Sequence, residues 1–316
     1  MAEIGKDIAK AKAILEEGGL VGIPTETVYG LAGNALNPDA VAKIFEVKNR
    51  PDFDPLIIHT SSIGQISKYT QEITPELESL AKVFWPGPLT LLLPRKSIIP
   101  DLVTSGLDHV AVRVPLHPLT QALLANLDFP LAAPSANPFG YISPTTAAHV
   151  DDQLGNLIPY ILDGGSSDVG LESTIVGVEE GQITVYRLGG IDVAEIEKVV
   201  GAVKILSHSS SNPKSPGMLK SHYAPRKRVI LGNISQLLRE YKNEKVGTLS
   251  FTSPYPEATE SVILSAEGSF TEAAKNLFTG LRFLDQADVS LILAELLPEE
   301  NLGRAINDRL KRASVK

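Results

Sequence analysis

IGKDIAKAKAILEEGGLVGIPTETVYGL, residues 4–31, carries three signals in a row. Ile4, Ile8, Ala11 and Leu15 recur at i, i+4, i+7 and i+11, the spacing of one helical face, and Gly18-Gly19 stop the helix. Leu20 to Ile23 then reads as a short buried strand. Pro24-Thr25-Glu26-Thr27 follows directly, so polar side chains stand where a strand ends. Helix, strand and polar loop in that order indicate α/β layering, in which ligands collect at strand ends.

The same alternation extends outward. Helices are predicted at 38–48, 75–84, 117–126 and 145–154, with proline in the favoured N-terminal place at Pro38 and Pro75. Strands are predicted at 56–59, 90–93, 110–114, 131–133 and 159–162, and the close pair 174–178 and 183–187 reads as a hairpin. From Leu206 to Pro225 the chain loses periodicity and fills with Ser, Pro, Gly and Asn. Beyond it, strands at 229–231, 245–251, 261–265 and 289–294 alternate with helices at 234–242, 271–286 and 301–312. The expected organisation is a domain over 1–205, a linker over 206–228 and a small α/β domain over 229–316.

Hydrophobic residues make up 43% and charged residues 21%, the balance of a chain that buries an ordinary core rather than a disordered or fibrous one. The N-terminal residues are charged throughout, unlike a secretory leader, and no apolar run approaches the ~18 residues of a membrane span. The cytoplasm is the expected compartment. The chain has no cysteine, which excludes disulfides, thiolate nucleophiles and cysteine-bound zinc. A net charge of −8 disfavours a protein that coats nucleic acid. No acidic residue falls between Glu197 and Glu240, however, while Lys198, Lys204, Lys214, Lys220, Arg226, Lys227 and Arg228 do. That stretch is either a solvated linker or a face for phosphates.

No GxxxxGK[ST], GxGxxG or HExxH signature is present, so the common nucleotide-dependent and metallohydrolase families are disfavoured. What remains is a set of polar fragments at the ends of apolar runs. In PTETVYGL (24–31) hydroxyls can hold a small polar ligand, or Thr can simply cap a turn. Lys48 and Arg50 close a predicted helix, where the dipole favours cations whatever their function; they also suit a triphosphate, Arg by its fork and Lys as a point charge. Asp54 lies close by, and His59 ends an apolar strand, where a histidine more often belongs to the core. Arg113 sits inside the apolar run VAVRVP (110–115), so an anion must lie against it, from the protein or, the preferred reading, from a ligand carboxylate. APSAN (133–137) with SPTT (143–146) offers Ser135, Asn137 and Ser143 on small residues that let a ligand approach, or is a proline-rich loop. Ser173 in ESTI (172–175) and Arg187 in YRLGG (186–190) complete the set.

Taken in order, PTETVYGL, KNRPDFDPLIIH, VAVRVP, APSAN with SPTT, STIV, YRLGG, SPGM and HYAP resemble the motif series of the threonylcarbamoyl-AMP synthases that carry a YrdC-like domain and a C-terminal extension. The resemblance covers residues 5–225 by motif. It implies a twisted open YrdC-like sheet flanked by helices, a smaller Rossmann-like α/β domain, and a linker lying over the active site. It also implies that L-threonine is held by Thr27, His59, Arg113 and Ser173, with Arg113 on its carboxylate. ATP would be held by Lys48, Arg50, Asp54, Ser135, Asn137, Ser143 and Arg187, with Tyr223 closing over the pocket. Lys48, Arg50 and Arg187, with Mg²⁺, would neutralise charge on the phosphates. The chain departs from the pattern at two places. Asp54 replaces a frequent Asn, which would make it an outer Mg²⁺ contact beside a triphosphate, and His109 replaces a frequent Thr.

The implied reaction joins L-threonine, bicarbonate or CO₂, and ATP, releasing pyrophosphate. Its product would pass to a tRNA threonylcarbamoyl-transferase in forming N6-threonylcarbamoyladenosine at position 37 of tRNA. Three alternatives compete. A carbamoyl-transferring maturation factor needs cysteine-rich zinc modules that this sequence lacks. A non-catalytic double-stranded RNA or tRNA-binding protein on the same fold needs a basic concave face. An acyl-transfer hydrolase using Ser135 or Ser173 needs a GxSxG elbow.

Overall fold

A computed structural model describes residues 1–206 and 222–315. In chain order its strands and α-helices are β1 (Glu3–Gly5), α1 (Ile8–Glu16), β2 (Val21–Ile23), β3 (Gly30–Asn34), α2 (Pro38–Lys48), β4 (Ile57–His59), α3 (Pro75–Phe84) and β5 (Leu89–Pro94), with a 3-10 helix, Ile63–Lys68, between β4 and α3. They continue with α4 (Asp101–Thr104), β6 (His109–Arg113), α5 (Pro118–Ala125), β7 (Leu131–Ala132), α6 (Ala147–Leu154), β8 (Tyr160–Leu162), β9 (Thr174–Glu179), β10 (Gln182–Arg187), α7 (Val193–Val200) and β11 (Lys204–Ile205). The remainder is β12 (Arg228–Leu231), α8 (Ile234–Glu240), β13 (Val246–Ser250), β14 (Glu260–Ile263), α9 (Phe270–Gln286), β15 (Leu291–Ala294) and α10 (Gly303–Ala313).

The first eleven strands form one mixed sheet in the order β1-β8-β2-β3-β7-β4-β6-β5-β9-β10-β11, and the last four an all-parallel sheet, β12-β15-β13-β14. The expected mixed α/β class is what is found. Apolar side chains cover the large sheet in two clusters. One packs Val41, Ile44, Leu77 and Leu80 of α2 and α3 against Ile58, Leu91 and Val112, and the other packs α1 and α5 against Val21, Ile23 and Leu162. The core of the small sheet is continuous with the large unit, since Val28, Ile142 and Leu171 pack with Leu277, Phe278 and Leu281 of α9.

Helix ends explain why α2 and α3 start where they do. Asn37 and Thr74 accept backbone N–H bonds just ahead of Pro38 and Pro75. Asn49 ends α2 in the left-handed region, at φ 51°, turning the chain toward Arg50. Differences from the sequence reading are local. Ile4 belongs to β1, paired in parallel with Ile161, so its helical spacing to Ile8 is fortuitous. The strand Gly30–Asn34 and the helix Val193–Val200 were not expected. The expected linker over 206–228 lies largely outside the described residues, SPGM included; among its described residues Ala224 N–H donates to Gly140 O at 2.8 Å and Arg228 already begins β12.

Candidate active site

The turn after β2 is held by its own hydroxyls. Thr25 Oγ1 accepts from the N–H groups of Thr27 and Val28 at 3.2 Å and donates to Val28 O at 2.5 Å, so this threonine closes a turn that leads into a strand, not a helix. Thr27 Oγ1 lies 2.8 Å from Thr25 Oγ1 and accepts from Arg113 Nη1 at 2.8 Å. Arg113, at the end of β6, therefore reaches back across the sheet to the first polar loop.

A protein carboxylate lies against that buried arginine. Glu26 Oε1 accepts from Arg113 Nη2 at 2.7 Å, and Glu26 Oε2 accepts from Leu116 N–H at 3.0 Å. Nε donates to Gly87 O at 3.2 Å. Parallel pairing of β4 and β6 sets His59 in register with Arg113. His59 is 2% exposed, and burial together with the neighbouring guanidinium pushes its pKa down to about 3, so the ring is neutral. Its Nδ1 has no hydrogen-bond partner among the described residues. An orphan acceptor or donor of this kind at a pocket wall is a ready ligand contact.

Opposite stand Arg50 and Arg187. Arg50 Nε donates to Asp54 O at 3.0 Å and Nη2 to Pro55 O at 2.8 Å, with Asp54 Oδ2 2.9 Å from Nη2. Arg187, ending β10, donates from Nε and Nη2 to Ser173 O at 3.1 and 2.9 Å and from Nη2 to Ser173 Oγ at 3.1 Å. Ser173 Oγ is also 2.7 Å from Thr90 Oγ1 on β5, which β5–β9 pairing brings alongside. Burial lowers the pKa of both guanidiniums, which nevertheless stay charged.

A single pocket is lined by Thr27, His59, Arg113 and Ser173 and, continuing around it, by Arg50, Ser135, Arg187 and Tyr223. Lys48, Asp54, Asn137 and Ser143 do not line it, and each is committed to the protein. Lys48 Nζ, 1% exposed, donates to Ser135 O and Asn137 O at 2.6 and 2.5 Å, fastening the APSAN loop onto α2. Asp54 is fully buried against Arg50, and burial raises its pKa. Asn137 Nδ2 donates to Pro138 O and Tyr141 O, both at 2.9 Å, and Ser143 Oγ to Glu172 Oε1 at 2.6 Å. His109 is exposed at the far end of β6, and Pro94 on β5 is its register partner.

Glu26, Glu172, His222 and Arg309 are additional members that were not selected from sequence as site residues. Glu172 lines the pocket and accepts from Arg309 Nε of α10 at 2.9 Å. Arg309 was findable: it shares the inner face of α10 with Ile306, Leu310 and Ala313, and an arginine there requires a carboxylate. His222 is buried and lines the pocket; burial and the surrounding cations hold its pKa well below the usual value. Tyr223 adopts φ 63° and stacks on Phe278, ring centroids 5.6 Å apart.

The carboxylates nearest the pocket, Glu26, Glu172 and Asp54, are all paired with arginines, which leaves no acidic cradle for a resident metal. Among the described residues no group of three or more His, Cys, Asp or Glu side chains is placed to hold one. Nor is an imidazole bonded to Ser135 or Ser173 among these residues, so neither hydroxyl has the base of a nucleophile. Such a site can bind anionic and polar groups side by side and neutralise charge that develops between them.

Three buried arginines wall one pocket of a twisted α/β sheet, Arg113 and Arg187 at strand ends and Arg50 just past α2, a setting in which such folds hold small anionic ligands. The profile of the Sua5/YciO/YrdC family, described as "Telomere recombination", matches residues 13–189, and the profile described as "Threonylcarbamoyl-AMP synthase, C-terminal domain" matches residues 191–315. The chain is 43% identical over 319 residues to a threonylcarbamoyl-AMP synthase of Pyrococcus abyssi, covering 96% of this chain and 93% of that one. It is 39% identical over 320 residues to that of Bacillus subtilis, covering 97% and 92%. The crystal structure of P. abyssi Sua5 complexed with L-threonine superposes with a TM-score of 0.94 at 41% identity, covering 99% of this chain and 97% of that chain. The chain belongs to the threonylcarbamoyl-AMP synthase family.

Proposed function

We propose that this chain makes threonylcarbamoyl-AMP from L-threonine, bicarbonate or CO₂, and ATP. The threonine amine adds to CO₂ to give an N-carboxylate. A carboxylate oxygen then attacks the α-phosphorus of ATP, the bond to the β-phosphate oxygen breaks, and pyrophosphate leaves. The observation that carries this reading is the convergence of Thr27, His59, Arg113 and Ser173 with Arg50, Ser135, Arg187 and Tyr223 on one pocket. The first four would take threonine, its carboxylate near Arg113 and its polar groups within reach of neutral His59. The second four would take ATP.

No protein nucleophile is needed, so the site acts by holding two anions together and by neutralising charge at the phosphates through Arg50 and Arg187. Lys48, Asp54, Asn137 and Ser143 act one step back, by fixing the loops that carry the contacts. Mg²⁺ would enter with ATP, bound to its phosphates, since the carboxylates nearest the pocket are paired with arginines, Asp54 with Arg50. The product would pass to a tRNA-modifying transferase. No helix of the described residues is long and apolar enough to cross a membrane, and the cytoplasm, where tRNA is modified, is the proposed compartment.

Pyrophosphate release from MgATP tests the reading, with threonine and bicarbonate omitted in turn and L-serine in place of threonine. Release that needs both co-substrates supports it. No release, with tight binding to duplex RNA, overturns it in favour of an RNA-binding role. The pocket arginines already oppose that alternative, since Arg50, Arg113 and Arg187 are buried and present no basic face to a backbone.

A further inference from the structure

Arg309 lies far from the large sheet in sequence, on a helix of the small domain, yet it is fully buried and touches two components of the pocket wall at once. Its Nε donates to Glu172 Oε2 at 2.9 Å. Its guanidinium carbon lies 5.1 Å from the centroid of the Tyr223 ring. Glu172 and Tyr223 both line the pocket, whereas Arg309 does not.

Each of these two neighbours leads on to groups that face substrate. Glu172 directly precedes Ser173, which Arg187 grips at backbone and side chain, and its other oxygen accepts from Ser143 Oγ at 2.6 Å. Tyr223 holds a left-handed backbone conformation, φ 63°, that a tyrosine does not adopt without support. Phe278 and Arg309 both pack against its ring. On its far side Arg309 Nη1 meets Asp308 Oδ2 at 3.0 Å, and Asp308 accepts from Arg312 Nε at 3.0 Å. A file of alternating charges thus runs from the outer turn of α10 to the pocket. Burial alone would lower the Arg309 pKa, but the Tyr223, Glu172 and Asp308 fields outweigh it and raise it, so the cation is permanent.

We propose that Arg309 is a positioning residue of the reaction: one guanidinium of the small domain locks the Glu172–Ser173 wall and the Tyr223 cover in their substrate-binding places. The small domain is then part of the binding site rather than an appended module. This rests on the synthase reading above. It predicts that loss of the fork weakens ground-state binding of threonine and ATP, because wall and cover touch both before any bond changes.

The test is steady-state pyrophosphate release by the full chain. Arg309→Lys keeps the charge but not the fork and is expected to raise KM for threonine and for ATP about tenfold, while kcat at saturation falls less than threefold. A merely structural arginine would instead lower the thermal midpoint and the active fraction, leaving KM of the folded enzyme as it was. Should Arg309→Lys fail to fold, the double variant Glu172→Gln with Arg309→Met removes both charges together and leaves neither buried alone. It is expected to show the same rise in KM. Wild-type KM values in whichever variant folds overturn the proposal, and absence of release by the wild-type chain would instead sink the reading on which it rests.

Discussion

His59 and Arg113 stand opposite each other on adjacent parallel strands, a neutral imidazole whose Nδ1 has no partner among the described residues beside a guanidinium. The pairing keeps the ring from protonating, because burial and the guanidinium both oppose a second positive charge.

Stability should therefore depend on pH in a defined window. The folded pKa of His59 is about 3 and the ordinary value 6.5, so a pH unit or more above 6.5 the ring is neutral in both states and contributes almost no pH dependence. Below it the unfolded chain takes up a proton that the folded chain refuses, and stability falls by about 1.4 kcal/mol per pH unit down to the folded pKa. Urea unfolding at pH 7.5 and 5.0 should differ by roughly 2 kcal/mol from this group, and His59→Asn should remove that part of the slope. An unchanged slope in the variant would place the sensitivity elsewhere.

Arg113→Lys should raise the threonine KM by about 10- to 100-fold, the ~1.5–3 kcal/mol of a charge-assisted bond made with a fork that lysine lacks. Arg113→Ala should in addition lower stability by roughly 3–5 kcal/mol, because it leaves Glu26 buried with its charge uncompensated. Threonine titrations of pyrophosphate release and thermal unfolding separate the two effects.

Lys48 offers a different signature. Its ammonium pins two carbonyls of the loop that carries Ser135 and does not line the pocket. Lys48→Met should orphan both and cost roughly 2–5 kcal/mol of stability. The ATP KM should rise as a consequence of the loosened loop. Full stability in Lys48→Met, together with lost ATP binding, would show instead that the ammonium turns to the nucleotide.

Gly189 marks where the wall has no slack. A Cβ there would lie 2.3 Å from Glu172 O and 2.4 Å from Ser173 C, both backbone atoms. Gly189→Ala should therefore push the 172–174 strand entry out of place, lower the thermal midpoint and reduce kcat/KM at least tenfold. Circular dichroism melts alongside kinetics would register both.

Much of the architecture was legible because local and tertiary preferences agree. The helices Pro38–Lys48 and Pro75–Phe84 have proline starts, capping side chains and one apolar face, and they form at the residues read from sequence. The strand Gly30–Asn34 was not legible, since GLAGN has no β-branched residue and is held extended by neighbours on both sides, β2 and β7. The helix Val193–Val200 has Asp192 at its start, but that side chain makes no capping hydrogen bond. In the site, the need of Arg113 for an anion followed from its apolar flanks, but the anion sits 87 residues away in sequence, at Glu26. For Lys48, Asp54, Asn137 and Ser143 the motif spacing pointed to the right neighbourhood. Which of them face inward to hold loops and which face the pocket depends on side-chain direction, which spacing does not encode.

The order of strands in the large sheet has a kinetic consequence. Six of the ten neighbouring pairs join strands that are not consecutive in the chain: Ile4 pairs with Ile161, Gly33 with Ala132, and Leu89 with Thr174. Each such pairing closes a long loop before any contact rewards it, so assembly of the sheet's interior is expected to limit the folding rate, with the pocket, built from segments distant in sequence, complete only after it. Substrates that recognise the finished pocket would act on the unfolding limb of the kinetics, slowing escape from the native state without hastening arrival there.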